Sequence, residues 1–216
     1  MRFSVQRSTQ NYRWFELYSR LVRIKSMSNI KTIYLFTGKA QSGKNYIARE
    51  LNKALTSEHK TVLELSFAYK LKSFISTLFD MPIEEVDKWK LNEQPFTANG
   101  TTMREILQRF GTDIMRKHVD KDYWIKFVAT RIVNTDYNYY LITDYRFPNE
   151  LDVIDYMKLY DLYNLTDYNV KVVKVINNST IKSSRHESEL LTDVIDADIV
   201  IDNTDHKYKF NIKDFI

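Results

Sequence analysis

Short runs of β-prone apolar residues punctuate this chain at intervals. They are Thr32-Ile33-Tyr34-Leu35-Phe36-Thr37, Thr61-Val62-Leu63-Glu64-Leu65, Tyr139-Tyr140-Leu141-Ile142-Thr143, Val170 to Ile176 and Ala197 to Asp202, each of strand length. Between them apolar positions return every three or four residues, the period of a helix with one buried face. Tyr46, Ile47, Leu51, Ala54 and Leu55 share such a face and predict a helix over about 44–57. A second helix is expected over about 68–79, ended by Met81-Pro82, and a short third from Ile83 to Leu91. Asn92 to Gly100 reads as a polar loop. Thr101 reads as the N-cap of a helix over 102–118, whose apolar face is Met103, Ile106, Leu107, Phe110 and Ile114. Further helices are expected from Asp122 to Val133, from Pro148 through Leu151, Ile154 and Met157, and from Glu187 to Val194. Strands alternating with helices throughout predict an α/β fold on a mostly parallel sheet.

Composition narrows the picture. The chain has 216 residues, 44% hydrophobic and 28% charged, which suits one globular domain with a substantial core. It contains no cysteine, which excludes disulfides, thiolate metal sites and a cysteine nucleophile and fits a reducing compartment. No apolar run is long enough to span a bilayer. The formal net charge of +4 is concentrated at one end. Residues 1–29 hold six basic residues and one acid, Glu16, leaving 26 basic against 27 acidic residues in the remainder. The charge of the body therefore gives no support to a nucleic-acid partner. The expected organisation is a basic extension over 1–29 and one domain over 30–216. Tyr12, Trp14, Phe15, Leu17, Leu21, Val22 and Ile24 would make the extension a basic amphipathic helix. It reads as a targeting or membrane-surface segment, as a helix docked on the domain, or as a dispensable stretch ahead of Met27; the last is favoured.

The densest chemical signal follows the first strand. Gly38-Lys39-Ala40-Gln41-Ser42-Gly43-Lys44 is a G-x-x-x-x-G-K loop between a strand and an amphipathic helix, the setting of a phosphate-binding loop. Glycines let the backbone turn and approach an anion, loop N–H groups and the helix N-terminus supply positive potential, and Lys44 reaches the β- and γ-phosphates. The next position usually carries Ser or Thr for Mg²⁺; here it is Asn45. On the 102–118 helix, Arg104, Gln108, Gly111 and Thr112 fall on one stripe. Gly111 inside that pattern predicts a close approach by another group, or a kink or end of the helix. Ligands of open α/β sheets bind beyond the carboxyl ends of the strands, and the strand over 139–143 delivers Asp144 and Arg146 to that edge. Asp144 suits a metal-bound water or a substrate hydroxyl and Arg146 a phosphate; alternatively the two form an ion pair capping the following helix. Lys182, Arg185 and His186 sit in a basic stretch that reads either as a loop closing over a triphosphate or as a solvated connection. There is no Ser/His/Asp order, zinc-ligand spacing or G-x-G-x-x-G, and no strand ends in the paired Asp-Glu of motor ATPases.

Taken together these blocks resemble the deoxynucleoside monophosphate kinases of bacteriophages and related viruses, over roughly residues 30–205. The resemblance rests on the glycine loop, on Arg104-Glu105-Ile106-Leu107-Gln108-Arg109-Phe110-Gly111-Thr112, on Asp144-Tyr145-Arg146-Phe147-Pro148-Asn149-Glu150, and on His186-Glu187-Ser188-Glu189 with Asp198 to Asn203. Ser66-Phe67-Ala68 and Asp122-Tyr123-Trp124 add to it. The resemblance implies a three-layer P-loop kinase fold and phosphorylation of a deoxynucleoside 5′-monophosphate with ATP and Mg²⁺ in the cytoplasm of a host cell, often by a homodimer. It implies that Lys44, Asp144 and Arg146 are catalytic. Gly38, Ala40, Ser42, Gly43, Lys44, Asn45, Tyr46 and Arg185 would then hold ATP. Arg104, Gln108, Gly111, Thr112, Trp124, Asp144, Arg146 and Glu150 would hold the acceptor. No protein side chain is assigned to the metal. The chain departs from the family pattern in having Asn45 and Tyr46 where Asp and Thr usually follow the lysine, and Glu105 where a basic residue is common; the first departure bears on metal handling.

Other readings compete. A kinase of another phosphorylated small molecule, such as phosphomevalonate, shares a similar loop. A nucleotide-binding protein without useful turnover would fit Asn45. Nucleic-acid binding through residues 1–29 is the weakest. Nucleotides are the expected partners, with neither nucleic acid nor membrane.

Overall fold

The computed structural model describes residues 30–92, 94–161, 166–179 and 190–216. The first strand, β1 (Lys31–Thr37), is apolar at consecutive positions because it is covered on both faces. It pairs in parallel with β3 (Tyr139–Ile142) on one side and β4 (Tyr168–Ile176) on the other. β2 (Val62–Leu65) flanks β3, and β5 (Ile199–Asp202) flanks β4, giving the order β2-β3-β1-β4-β5. All described pairings within this sheet are parallel, so the expected α/β sheet is parallel across its five described strands rather than mostly so.

Alternation along β1 divides the core. Tyr34 and Phe36 face one layer, formed by Ile47, Ala48, Leu51 and Leu55 of α1 (Lys44–Ser57) and by the C-terminal Phe215. Ile33 and Leu35 face the other, built from α2 (Tyr69–Leu78), α3 (Ile83–Leu91), α4 (Met103–Gln108), α5 (Tyr123–Val133) and α6 (Val153–Tyr160). This is the three-layer arrangement expected of the fold.

Several local expectations shift. Tyr46 is exposed and Ala54 half-buried, while Ala48 is buried, so the apolar face of α1 lies one position round from the sequence reading. Thr102, not Thr101, caps α4: its hydroxyl accepts from the Glu105 amide and the Glu105 carboxylate accepts from the Thr102 amide. The helix over 102–118 is α only to Gln108 and continues as a π-helix over Arg109–Val119. Pro148 opens a 3₁₀ turn, Pro148–Asp152, before α6. Leu191–Val194 is a 3₁₀ turn, and the earlier part of that expected helix lies outside the described residues. Strand β4 starts two residues before Val170, and β5 starts at Ile199. The extension over 1–29 also lies outside the described residues.

The chain ends inside the α1 layer. Phe215 is 1% exposed and packs edge-on to Tyr34 and beside Phe36 and Phe210. Its carbonyl accepts from the Tyr34 hydroxyl and the Lys171 ammonium, both at 2.9 Å. Phe215→Ala is expected to cost about 3–5 kcal/mol, read as a lower urea midpoint. Removing Ile216, 77% exposed, is expected to shift stability by no more than about 0.5 kcal/mol. Equal midpoints for Phe215→Ala and the parent would show that the tail lies outside the cooperative core.

Candidate active site

The glycine loop is held from behind. Gly38 has φ +135°, and a Cβ there would lie 2.2 Å from the Val175 carbonyl oxygen of β4. Gly43 has φ +98°, and a Cβ there would lie 2.2 Å from Asn203 Nδ2, which donates to the Ser42 carbonyl at 2.8 Å. Both positions therefore exclude a side chain on two grounds, conformation and space. Gly43 is also the residue preceding α1, so the loop delivers its amides to the helix N-terminus. Lys44 is 7% exposed, and its ammonium donates to the Gly38 and Lys39 carbonyls at 2.6 and 2.7 Å. It is thereby held against the concave side of the loop.

This loop opens into a cavity of about 660 Å³ at the carboxyl edge of the sheet. Ala40, Ser42, Gly43, Lys44, Asn45 and Tyr46 line it from the loop and the start of α1. Arg104, Gln108, Gly111, Thr112 and Trp124 line it from the helices, and Asp144, Arg146 and Glu150 from the segment after β3. Gly38 lies beneath the loop and does not reach the surface of the cavity. Arg185 lies outside the described residues.

The structure revises what individual residues do. The close approach at Gly111 is real: a Cβ there would meet Leu71 Cδ2 at 2.6 Å. The helix neither ends nor breaks at Gly111. Instead Trp124 Nε1 donates to the Gly111 carbonyl at 3.0 Å, within the stretch that has widened to π geometry. Trp124 is 5% exposed, so it serves as a wall. Asp144 does not cap the helix that follows it. Its carboxylate accepts from Ser66 Oγ at 2.7 Å, Phe67 N at 2.8 Å and Ala68 N at 2.9 Å, tying the end of β3 to the entry of α2. Glu150 is 2% exposed. One oxygen accepts from the Arg146 and Phe147 amides at 2.7 and 3.1 Å, and the other from the Arg116 guanidinium. Burial pushes this carboxyl up to about 7, opposed by Arg116 and the two amides.

Four contributors escaped the sequence reading. Arg116 lines the cavity with its guanidinium 4.2 Å from the centre of the Phe147 ring. Lys72 and Lys90 enter from α2 and α3; Lys72 pairs with Asp87 at 2.7 Å. His206 arrives from beyond β5, in a left-handed conformation with φ +57°. Arg116 alone carried a signal, standing four residues beyond Thr112. The other three come from separate elements that sequence spacing cannot relate. Among the described residues six cations line the cavity (Lys44, Lys72, Lys90, Arg104, Arg116 and Arg146) against two carboxylates, both already hydrogen-bonded. The cavity is built for a polyanion. Lys90 shows the cost of that crowding: burial, with Lys72 and Arg146 nearby, pushes its ammonium down to about 8.

Comparison with known proteins gives an independent line. A family model described as deoxynucleotide monophosphate kinase matches residues 48–213. The match begins after the glycine loop, so it owes nothing to that motif. The chain is 28% identical over 167 residues to the deoxynucleotide monophosphate kinase of Enterobacteria phage T4, covering 72% of this chain and 65% of the relative. It is 26% identical over 105 residues to the deoxynucleotide monophosphate kinase of Escherichia phage RB69, covering 47% of this chain and 38% of the relative. The chain thus spans less than two thirds of each curated relative it matches.

Gly111→Ala gains about 1 kcal/mol of helix propensity but drives Leu71 toward the cavity. The expected result is a melting curve close to the parent's with weaker nucleotide binding, measured by thermal unfolding and titration. For Lys90, a bound phosphate favours the charged form. Affinity for a phosphomonoester is therefore expected to fall as pH rises through about 8, with proton uptake on binding. Calorimetry in two buffers of different ionisation enthalpy reads that uptake, and Lys90→Met should remove it.

Proposed function

The chain belongs to the deoxynucleotide monophosphate kinase family, and we propose that it transfers the γ-phosphoryl group of MgATP to a deoxynucleoside 5′-monophosphate, giving the deoxynucleoside diphosphate and ADP. The observation that carries this reading is that two cation sets share one cavity. Lys44 and the loop amides would serve the donor, and Arg104, Arg146, Lys72 and Lys90, which line the same cavity, would serve the acceptor. Phosphoryl transfer asks the protein mainly for positioning and for charge placed where it develops. Lys44 would leave its carbonyl partners for the β- and γ-phosphates. Arg104 and Arg146 would hold the acceptor's phosphate in line, so that its oxygen attacks the γ-phosphorus as the bond to the β-phosphate breaks. Asp144 would act by positioning, since three hydrogen bonds already hold its carboxylate. Exclusion of water by the cavity walls would favour transfer over hydrolysis.

Mg²⁺ characteristically takes few protein ligands and several from phosphates and water. The oxygen donors lining this cavity suit that mode. The Asn45 amide would reach the ion directly or through water and Asp144 through water, with no carboxylate cage required. Bound there, the ion would neutralise charge on the nucleotide's phosphates. Among the described residues no helix is long and apolar enough to cross a membrane. The proposed setting is the cytoplasm of a host cell, with nucleotides as partners and a homodimer as the assembly.

Asn45 favours a second reading, a nucleotide binder with weak turnover, because a neutral amide stands where the family has an acid. One experiment separates the two: ATP-dependent phosphorylation of dAMP, dGMP, dCMP and dTMP with Mg²⁺, alongside ATP binding. Turnover on any of the four supports the kinase. Silence with ATP binding intact supports the binder. In the kinase, Lys44→Ala is expected to lose at least about a hundredfold in kcat while its circular dichroism stays that of the parent. Retained turnover would contradict the mechanism.

A further inference from the structure

We propose that Asn149 and Asp122 are positioning residues for the acceptor: the hydrogen bond between them sets the orientation of the turn that presents Arg146 to the cavity. This rests on the acceptor-site reading above and deepens it. Neither side chain lines the cavity, so both act through the turn.

The first support is that Asp122 forgoes its local role. It stands at the N-cap of α5, where an aspartate ordinarily accepts from the amides of its own helix and adds about 1 kcal/mol. Its side chain makes no such bond. Instead Oδ1 accepts from Asn149 Nδ2 at 2.9 Å, and Oδ2 accepts from the Tyr156 hydroxyl at 3.0 Å. The residue is 6% exposed, so these bonds hold its charge out of water, with the Lys121 ammonium at 3.6 Å. Its backbone is fixed in turn. One Asp120 oxygen accepts from the Asp122 amide at 2.9 Å, and the other from the Lys126 ammonium at 2.8 Å.

The second support is what Asn149 adds to Glu150. These consecutive residues reach two separate points, one on the π-helix and one at the start of α5. Glu150 accepts from the Arg116 guanidinium, and Asn149 donates to Asp122. Arg116 also donates to the Lys121 carbonyl at 3.5 Å, so the two anchor points belong to one braced connection. A single attachment leaves the turn free to tilt about it, whereas two attachments fix its orientation. Pro148 has no N–H to contribute, and Glu150 already holds the Arg146 and Phe147 amides. The Asn149 side chain is therefore the second anchor.

The third support is that the two oxygens of Asp122 serve different elements. One holds the turn through Asn149, and the other ties the start of α5 to α6 through Tyr156. Only the first leads to Arg146, so positioning and stability can be separated on one carboxylate.

Calorimetric titration of the full chain with dAMP, dGMP, dCMP and dTMP, and separately with ATP, tests this without requiring turnover, alongside thermal unfolding. Asn149→Ala is expected to weaken the tightest-binding monophosphate at least about fivefold while ATP stays within about twofold. Tyr156→Phe removes one hydrogen bond from the same carboxylate. It is expected to lower the melting temperature by a similar amount and to leave both affinities within about twofold. Asp122→Asn keeps an oxygen that can accept from Asn149, and is expected to hold monophosphate affinity within about twofold of the parent, whereas Asp122→Ala loses it as Asn149→Ala does. The double variant Asp122→Ala/Asn149→Ala is expected to lose no more than either single variant, because the same bond is removed. Undiminished monophosphate binding in Asn149→Ala, or an equal loss in Tyr156→Phe, would overturn the proposal. If Asn149→Ala folds poorly, Asp122→Asn against Asp122→Ala makes the same comparison, and equal affinities in those two would overturn it. A parent that binds ATP but none of the four monophosphates would overturn the acceptor-site reading as well.

Discussion

A carboxylate placed out of water must be matched by charge and hydrogen bonds, and the acceptor side of this cavity is organised by the way Glu150 is matched. Its two oxygens gather the Arg146 amide, the Phe147 amide and the Arg116 guanidinium. Those three partners lie on different parts of the chain: the turn after β3 and the π-helical wall. Satisfying one buried charge therefore fixes the turn that carries Arg146, the ring of Phe147 and the distance between the turn and the wall. Asp144 does the corresponding work on the other flank, drawing the start of α2 to the end of β3 and with it Leu71 and Lys72. Both carboxylates line the cavity, yet their hydrogen bonds are spent on architecture.

The consequence is a cavity in which, among the described residues, cations outnumber carboxylates. A parallel sheet sends every strand to the same edge, so β1 and β3 must place their following loops side by side. The glycine loop and the Asp144 turn meet there because β1 and β3 are hydrogen-bonded neighbours. Opposite them, the wall built from α4 and its π continuation adds Arg104 and Arg116. Burial first, and the neighbouring Lys72 and Arg146 after it, hold the Lys90 ammonium below its ordinary range. A bound polyanion relieves the repulsion among these cations, which links the electrostatics of the cavity to what it is suited to receive.

Much of this was legible in the residue order, for reasons that differ between elements. β1 announced itself because a strand buried on both faces leaves almost no polar position. The glycine loop was legible because φ values above zero and a close neighbour at both Gly38 and Gly43 restrict the residue type. The stripe of Arg104, Gln108, Gly111 and Thr112 followed from helical spacing, and all four line the cavity. Gly111 was rightly suspected of a close approach, but nothing local names Leu71 as the neighbour. Tyr46 was misplaced because an aromatic next to the apolar face of α1 looks periodic whether or not it is covered.

The sequence by itself determined the alternation of strands and helices, the phosphate-binding loop and the stripe across from it, because each is written in contiguous residues under a fixed backbone period. The tertiary structure decided the roles of Asp144 and Glu150, the π widening at Trp124 and the arrival of Lys72, Lys90, Arg116 and His206. Those depend on which carboxylate finds which amide, and on which side-chain donor reaches a helix carbonyl. Such choices are made between residues tens of positions apart, where no sequence period reaches and only the packing of one layer on another sets the distance.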